Sequence, residues 1–281
     1  MKINLAKSAG FCFGVKRALD IAFKTASSGA EVCMLGDIVH NEEVIKEIEK
    51  LGIKKIRRPG KGKGKILLIR AHGASLNTFE KAARLGYDIV DATCPMVKEI
   101  HKIAQKMEQK GYKIIVIGDK KHDEVRGITG QLKQKAIVID SPNNIPLKKI
   151  KKTDKACVVV QSTQNLEKVL RIIEALKCYI RNLEFFNTIC RPTRIKQEEI
   201  RKMPQKNDLM IIIGSRNSAN TKRLYEISKS LNGRTYWINS KSEIRKGWFR
   251  GVKNAGITAG ASTPESTTRE VVEYVRKLSP Y

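Results

Sequence analysis

The sequence predicts an α/β protein made of three similar small parallel-sheet domains around a pseudo-threefold axis with a central cavity. Three observations lead to it. Short apolar runs of strand length alternate with amphipathic helical patterns, as parallel α/β units require. The alternation occurs three times at a period of roughly ninety residues, too long for a solenoid repeat. Within each round, cysteines, histidines and serines fall at the same place, just past a strand and just before a helix.

In the first round the run Lys2 to Ala6 leads through Gly10-Phe11-Cys12-Phe13-Gly14 into a helix over Val15 to Ala26, and Gly29 marks its stop. Strand Val32 to Leu35 ends at Gly36-Asp37-Ile38-Val39-His40. Helix Glu42 to Leu51 is closed by Gly52. Strand Ile66 to Ile69 ends at Ala71-His72-Gly73, and the short strand Ile89-Val90 brings the chain to Cys94.

The second round opens with helix Met96 to Lys110. Strand Ile114 to Ile117 follows and ends at Gly118-Asp119-Lys120-Lys121-His122-Asp123-Glu124. Next come strands Ile137 to Ile139 and Cys157 to Val160, the latter ending at Gln161-Ser162-Thr163. Helix Leu166 to Leu176 and strand Phe185-Phe186 lead to Cys190.

The third round has helix Ile195 to Lys202 and strand Leu209 to Ile213, which ends at Gly214-Ser215-Arg216-Asn217-Ser218-Ala219-Asn220. Strand Tyr236 to Ile238 and strand Gly256 to Thr258, ending at Ala259-Gly260-Ala261-Ser262, precede helix Glu265 to Leu278. This round lacks its own last strand, and Lys2 to Ala6 supplies it. The expected domains are therefore 13–94, 95–190, and 191–281 completed by 1–12.

The bulk numbers narrow the function. An apolar fraction of 41% over 281 residues is enough for a packed core. The longest apolar run, Leu209 to Ile213, is far below the ~18 residues that span a bilayer. No basic-then-apolar signal opens the chain, so a cytoplasmic location and no membrane partner are expected. A net charge of +27 predicts attraction to something anionic. Much of it lies in lysine runs such as Lys148 to Lys152, read as solvated loops.

Six cysteines in such a chain are not a disulfide framework, and the absence of any Cys-x-x-Cys pair argues against a zinc ribbon. Cys33, Cys157 and Cys178 read as small core hydrophobes. Cys12, Cys94 and Cys190 are in phase and precede helices. So are His40, His122 and Ser218, four residues past the first glycine of each round, and His72, Ser162 and Ser262 in the second loop. Ligands of parallel sheets bind beyond the carboxyl ends of the strands, where all of these fall.

Three thiolates from three domains suit a 4Fe–4S cluster better than zinc, which draws its ligands in close pairs. One iron then lacks a protein ligand and is a Lewis acid able to take a substrate oxygen. His40, His72, Ser218, Asn220 and Ser262, at helix N-termini, suit the oxygens of a phosphate or diphosphate. Glu124 is the carboxyl placed for proton delivery. His101, mid-helix and out of phase, reads as structural.

The motifs Gly10-Phe11-Cys12-Phe13-Gly14-Val15, Gly36-Asp37-Ile38-Val39-His40-Asn41, Arg70-Ala71-His72-Gly73, Asp91-Ala92-Thr93-Cys94-Pro95, His122-Asp123-Glu124-Val125, Asn187-Thr188-Ile189-Cys190, Gly214-Ser215-Arg216-Asn217-Ser218 and Thr258-Ala259-Gly260-Ala261-Ser262 occur in this order. Through them, over essentially its whole length, the sequence resembles the 4-hydroxy-3-methylbut-2-enyl diphosphate reductase family of the methylerythritol phosphate route to isoprenoids. The resemblance implies a 4Fe–4S cluster on Cys12, Cys94 and Cys190, with the substrate hydroxyl on the open iron. It implies that His40, His72, His122, Ser218, Asn220 and Ser262 hold the diphosphate, with Ser162 as a further donor, and that Glu124 delivers protons. Electrons would arrive singly from a ferredoxin or flavodoxin, and isopentenyl and dimethylallyl diphosphate would form.

Three positions depart from the family pattern. Asp123 stands where proline is usual, Ser162-Thr163 where two threonines are common, and Ala219 where a second serine is expected. Two other readings compete. A quinolinate synthase-like enzyme also uses three cysteines on three domains, but the in-phase histidines and Glu124 favour the reductase. A basic nucleic-acid-binding protein would fit the charge, yet no such motif is present, so no nucleic acid is expected. The basic surface is read as a dock for the acidic electron donor, and the chain as a monomer.

Overall fold

The computed structural model describes residues 1–278. Its elements in chain order are strand β1 (Lys2–Leu5), helix α1 (Phe13–Ala26), β2 (Glu31–Leu35), α2 (Glu42–Lys50), β3 (Lys54–Ile56), β4 (Lys65–Ile69), α3 (Leu76–Arg84) and β5 (Asp88–Asp91). The middle comprises α4 (Pro95–Gln109), β6 (Lys113–Ile117), α5 (Asp123–Thr129), β7 (Ile137–Ile139), α6 (Leu147–Ile150), β8 (Lys155–Val160), α7 (Leu166–Lys177) and β9 (Asn182–Phe185). The remainder is α8 (Arg191–Lys202), β10 (Leu209–Ile213), α9 (Ala219–Leu231), β11 (Thr235–Ile238), β12 (Asn254–Ala259) and α10 (Glu265–Lys277).

These strands form three four-stranded parallel sheets, ordered β1-β12-β10-β11, β5-β4-β2-β3 and β9-β8-β6-β7. The same order read three times is the α/β repeat expected from the sequence. β1 completes the sheet of β10 to β12, with Lys2 opposite Asn254 and Leu5 opposite Ile257. By compactness the chain divides into two units. One gathers Met1–Lys16, His40–Val44 and the residues from Arg191 on, and the other gathers Arg17–Val39 and Ile45–Cys190.

Within each unit the central strands are buried on both faces, which is why they read as continuous apolar runs rather than alternating ones. In β6 and β8, Ile115, Ile117, Val158 and Val160 pack on Val169, Ile172 and Leu176 of α7. Their alternate neighbours Ile114, Val116, Cys157 and Val159 pack on Ile100, Ala104 and Met107 of α4 and on Ile128 of α5. In β10, Leu209, Ile211 and Ile213 face Val271 and Val275 of α10, while Met210 and Ile212 face Leu224 and Ile227 of α9. The period of two along a strand sorts its side chains between the layers, and each such burial is worth roughly 1.5–3 kcal/mol.

The structure departs from the sequence expectations at particular elements. β3 is a short edge strand, hidden in the sequence because its Lys54 and Lys55 point outward. Helices α5 and α9 follow the loops where helix starts were expected but no bounds were read, and Leu147–Ile150 of the expected lysine loop is helical. Cys178 is not a core residue: it is exposed, because α7 ends at Lys177 and turns it toward solvent, where its Sγ meets Glu174 O at 3.5 Å. Cys33 and Cys157 are buried. None of the helices among the described residues is long and apolar enough to cross a membrane.

Candidate functional site

One hydrogen-bond pattern recurs at the three in-phase cysteines. The backbone N–H of Cys12 donates to Ala261 O at 3.1 Å, that of Cys94 to Ala71 O at 2.9 Å, and that of Cys190 to Ser162 O at 3.0 Å. Each acceptor lies two residues past the end of the neighbouring strand, β12, β4 or β8. The first glycine of each round is tied just as regularly. Gly36, Gly118 and Gly214 donate to the last residues of β3, β7 and β11 at 2.9, 3.0 and 2.9 Å. The loops at the carboxyl ends of all three sheets are therefore built alike. Cys12, Cys94 and Cys190 form no disulfide and are half-buried, each followed at once by a helix. Cys157 is different: burial pushes its thiol up to about 12, which leaves it an inert core group.

The unit of the second and third sheets listed above in order carries His72, Cys94, His122, Glu124, Ser162 and Cys190. Here the polar groups are already engaged with one another. Glu124, only 1% exposed, accepts from Ser162 N at 2.6 Å and from Ser162 Oγ at 2.9 Å. Burial raises its pKa to about 7, against the lowering effect of the two Ser162 bonds and with a smaller push from Asp119. His122 caps α5: its Nδ1 accepts from Glu124 N at 3.2 Å, which puts the ring proton of the neutral imidazole on Nε2. The rings of His72 and His122 meet edge to face with centroids 5.3 Å apart.

Asp123, next to Glu124 in the chain, is engaged by Arg70. Its carboxylate accepts from Arg70 Nη1 at 2.7 Å, both side chains being mostly buried. Arg70 stands two residues before His72 and Asp123 one after His122, so this ion pair ties together the loops that hold the two rings. Gly36 is required beside it: its φ is +68° and a Cβ would lie 2.6 Å from Arg70 Nη1. His101 is buried in α4 and its pKa is lowered by desolvation to about 4, so it stays neutral. It packs against Gly73, where a Cβ would come within 2.9 Å of its ring, and so shapes the His72 loop.

The other unit carries Cys12, His40, Ser218, Asn220 and Ser262. Gly10 sets the approach to Cys12 with a φ of +92°, a conformation only glycine adopts cheaply. Ser262 Oγ donates to His40 O at 2.9 Å. Ser218 caps α9 by accepting from Thr221 N at 3.3 Å. Ahead of that cap, Glu42 accepts from Ser215 Oγ at 2.8 Å and from Asn217 Nδ2 at 3.0 Å, fixing the loop. Asn220 is the exception. It is 4% exposed, yet neither its Oδ1 nor its Nδ2 has a hydrogen-bond partner among the described residues. Buried amides left so are costly, and this one sits in the first turn of a 13-residue helix, where anions are favoured.

Sequence reasoning missed Arg70, as the partner of Asp123, and Lys196. Lys196 is 3% exposed in α8, desolvation lowers it to about 8, and its Nζ contacts the backbone around Gly10. Nothing in a run of basic residues marks out one buried lysine. A lysine-lined groove of about 740 Å³ lies elsewhere, flanked by Lys113 and Lys155 at the starts of β6 and β8, the opposite strand ends from the residues above.

Residues 3–276 match the family described as LytB protein. The 4-hydroxy-3-methylbut-2-enyl diphosphate reductase of Geotalea daltonii is 41% identical over 99% of this chain and 98% of its own length. That of Dictyoglomus thermophilum is 39% identical over 100% and 98%. Among solved structures, an (E)-4-hydroxy-3-methyl-but-2-enyl diphosphate reductase described as the terminal enzyme of the non-mevalonate pathway aligns with a TM-score of 0.72 at 36% identity, covering 99% of this chain and 100% of that one. A diphosphate reductase from Plasmodium falciparum aligns with a TM-score of 0.89 at 30% identity, covering 97% of this chain and 87% of its own.

Proposed function

The chain belongs to the LytB family, and from that premise we propose that it is a 4-hydroxy-3-methylbut-2-enyl diphosphate reductase whose 4Fe–4S cluster is held by Cys12, Cys94 and Cys190. The observation that carries this reading is the thrice-repeated tie from a cysteine N–H to the carbonyl two residues past a neighbouring strand. It supports three equivalent thiols, one from each of three equivalent sheets. Donor chemistry fits as well: half-buried thiols before helix N-termini, with no fourth in-phase cysteine, suit a cluster with one iron left to a guest.

When bound, such a cluster supplies electrons one at a time and an open coordination position. The reaction takes two electrons and two protons, breaks the allylic C–O bond and releases water, giving isopentenyl or dimethylallyl diphosphate. The chain's own residues do the rest. Asn220 gives its unmatched amide to the diphosphate at the start of α9, with Ser218, His40, His72 and His122 as further donors and Ser262 turning its hydroxyl from His40 O to join them. Glu124, near half-protonation at pH 7, holds the transferable proton on Oε1 or Oε2 while Ser162 fixes the orientation of the carboxyl. An acidic ferredoxin or flavodoxin is the proposed electron donor, supported by the charge of +27; its reduction of the enzyme slows steeply with added salt.

Anaerobic purification with iron and sulfide analysis, followed by turnover of the diphosphate substrate, tests the proposal. The expected result is a brown protein with equal iron and sulfide, and loss of both in Cys94→Ser. Unchanged iron content in that variant would remove Cys94 as a ligand and the cluster assignment with it.

A further inference from the structure

The loop that carries Cys12 is gripped by one face of α8. Lys196, buried, donates from Nζ to three backbone carbonyls: Ser8 O, Gly10 O at 3.0 Å and Ala259 O at 3.1 Å. One helical turn on, Glu199 accepts from Lys7 N at 2.6 Å, Ser8 N at 3.0 Å and Ser8 Oγ at 2.5 Å. Together they hold residues 7–10 against the end of β12, the same segment whose Ala261 receives the N–H of Cys12. A loop needs such a staple, but it does not need a charge. A neutral amide or a water would satisfy the same carbonyls without the cost of burying an ammonium.

No carboxylate forms an ion pair with Lys196 among the described residues. Glu199, half-buried, spends its oxygens on the backbone and Ser8. The ammonium lies instead on Gly10 O at 3.0 Å, two residues ahead of Cys12 in the loop that leads to its sulfur. A buried cation beside a thiolate ligand offsets the negative charge that accumulates on a cluster when it takes up an electron.

We infer that Lys196 is a positioning and charge-compensating residue for Cys12: it fixes the ligand loop, and its buried ammonium raises the reduction potential of the cluster that Cys12 helps to hold. This rests on the cluster reading above. Two substitutions separate charge from stapling, because both loosen the loop but they change the charge in opposite senses. In anaerobically reconstituted holoenzyme, Lys196→Met shifts the midpoint potential of the cluster to more negative values and Glu199→Gln shifts it to more positive ones. Both lower the thermal midpoint of the cluster-free protein. An unchanged potential in Lys196→Met, or shifts of the same sign in both variants, would reduce Lys196 to a structural staple and overturn the inference. Should Lys196→Met fail to fold, the sign of the shift in Glu199→Gln decides alone: a positive shift supports the inference and a zero or negative one ends it. Wild-type protein that binds no iron would instead defeat the reading on which the inference stands.

Discussion

The two units treat their polar residues in opposite ways. In the unit of Glu124, nearly every polar group of the candidate site is already engaged: Glu124 with Ser162, His122 with the backbone of Glu124, and Asp123 with Arg70. In the unit of Asn220, a buried amide is left with both ends unmatched at a helix start. The Glu124–Ser162 pair is complete in itself, whereas the Asn220 amide lacks a partner among the described residues. Proton handling wants a carboxyl whose orientation and acidity are fixed beforehand, whereas anion binding gains from donors that no protein group has taken.

Substitutions should sort along the same line. The largest effect is expected for Glu124→Gln, which keeps the shape and one acceptor oxygen for Ser162 N, with its NH2 donating to Ser162 Oγ in place of the bond it received, but cannot deliver a proton. Turnover falls by roughly 10²–10⁴-fold while iron content and substrate affinity hold. Steady-state kinetics with parallel iron analysis checks this, and a fall in affinity instead of turnover would erase the distinction between the units.

Next is a pH effect on folding. The Glu124 carboxyl titrates at about 7 in the fold against 4.5 when unfolded, so its favourable neutral burial is fully present below pH 4.5 and is lost as pH rises through 7. Between pH 4 and pH 8 the cluster-free wild type should therefore lose about 3 kcal/mol that Glu124→Gln retains. Denaturant titrations of both proteins across that range measure the difference. Parallel curves would mean that Glu124 is not held neutral.

Asn220→Ala should show the reverse signature. Having no partner to lose, it leaves the stability of the cluster-free protein within about 1 kcal/mol, while substrate affinity weakens by roughly 10-fold or more, the worth of a hydrogen bond to a charged group. Smallest is Asp123→Asn, which removes the charge of the Arg70 pair. A loss of about 1–2 kcal/mol in stability is expected, along with a modest rise in KM as the His72 and His122 loops loosen. A double-mutant cycle with Arg70→Met isolates the coupling.

How much of this the sequence carried depended on whether a residue's neighbours in space were also its neighbours in the chain. Cys12, Cys94 and Cys190 were legible because strand, loop and helix follow one another directly, as were His40, His72 and His122. The length of helix α9 was not, because its buried face carries Asn220, Thr221, Arg223 and Ser228 beside Leu224 and Ile227, and those polar residues mask the apolar period past its start. Helix α5 is only seven residues long and contains Gly127. Cys178 stands just past the expected helix end at Leu176, and the sequence could not reveal that this C-cap position faces solvent. Asp123 drew notice as a carboxylate beside Glu124. Its engagement with Arg70, 53 positions away in the chain, emerges only from the fold.

The pairing of β1 with β12 has a consequence in time. Lys2 cannot meet Asn254 until the ribosome has made almost everything between them, which at ordinary elongation rates takes roughly 10–50 s. For that interval the strand leading to Cys12 has no lattice to join, and the thiol hangs on unfolded backbone. On the cluster reading proposed above, loading of iron and sulfide waits for the two distant segments to zip together, so it follows synthesis rather than accompanying it.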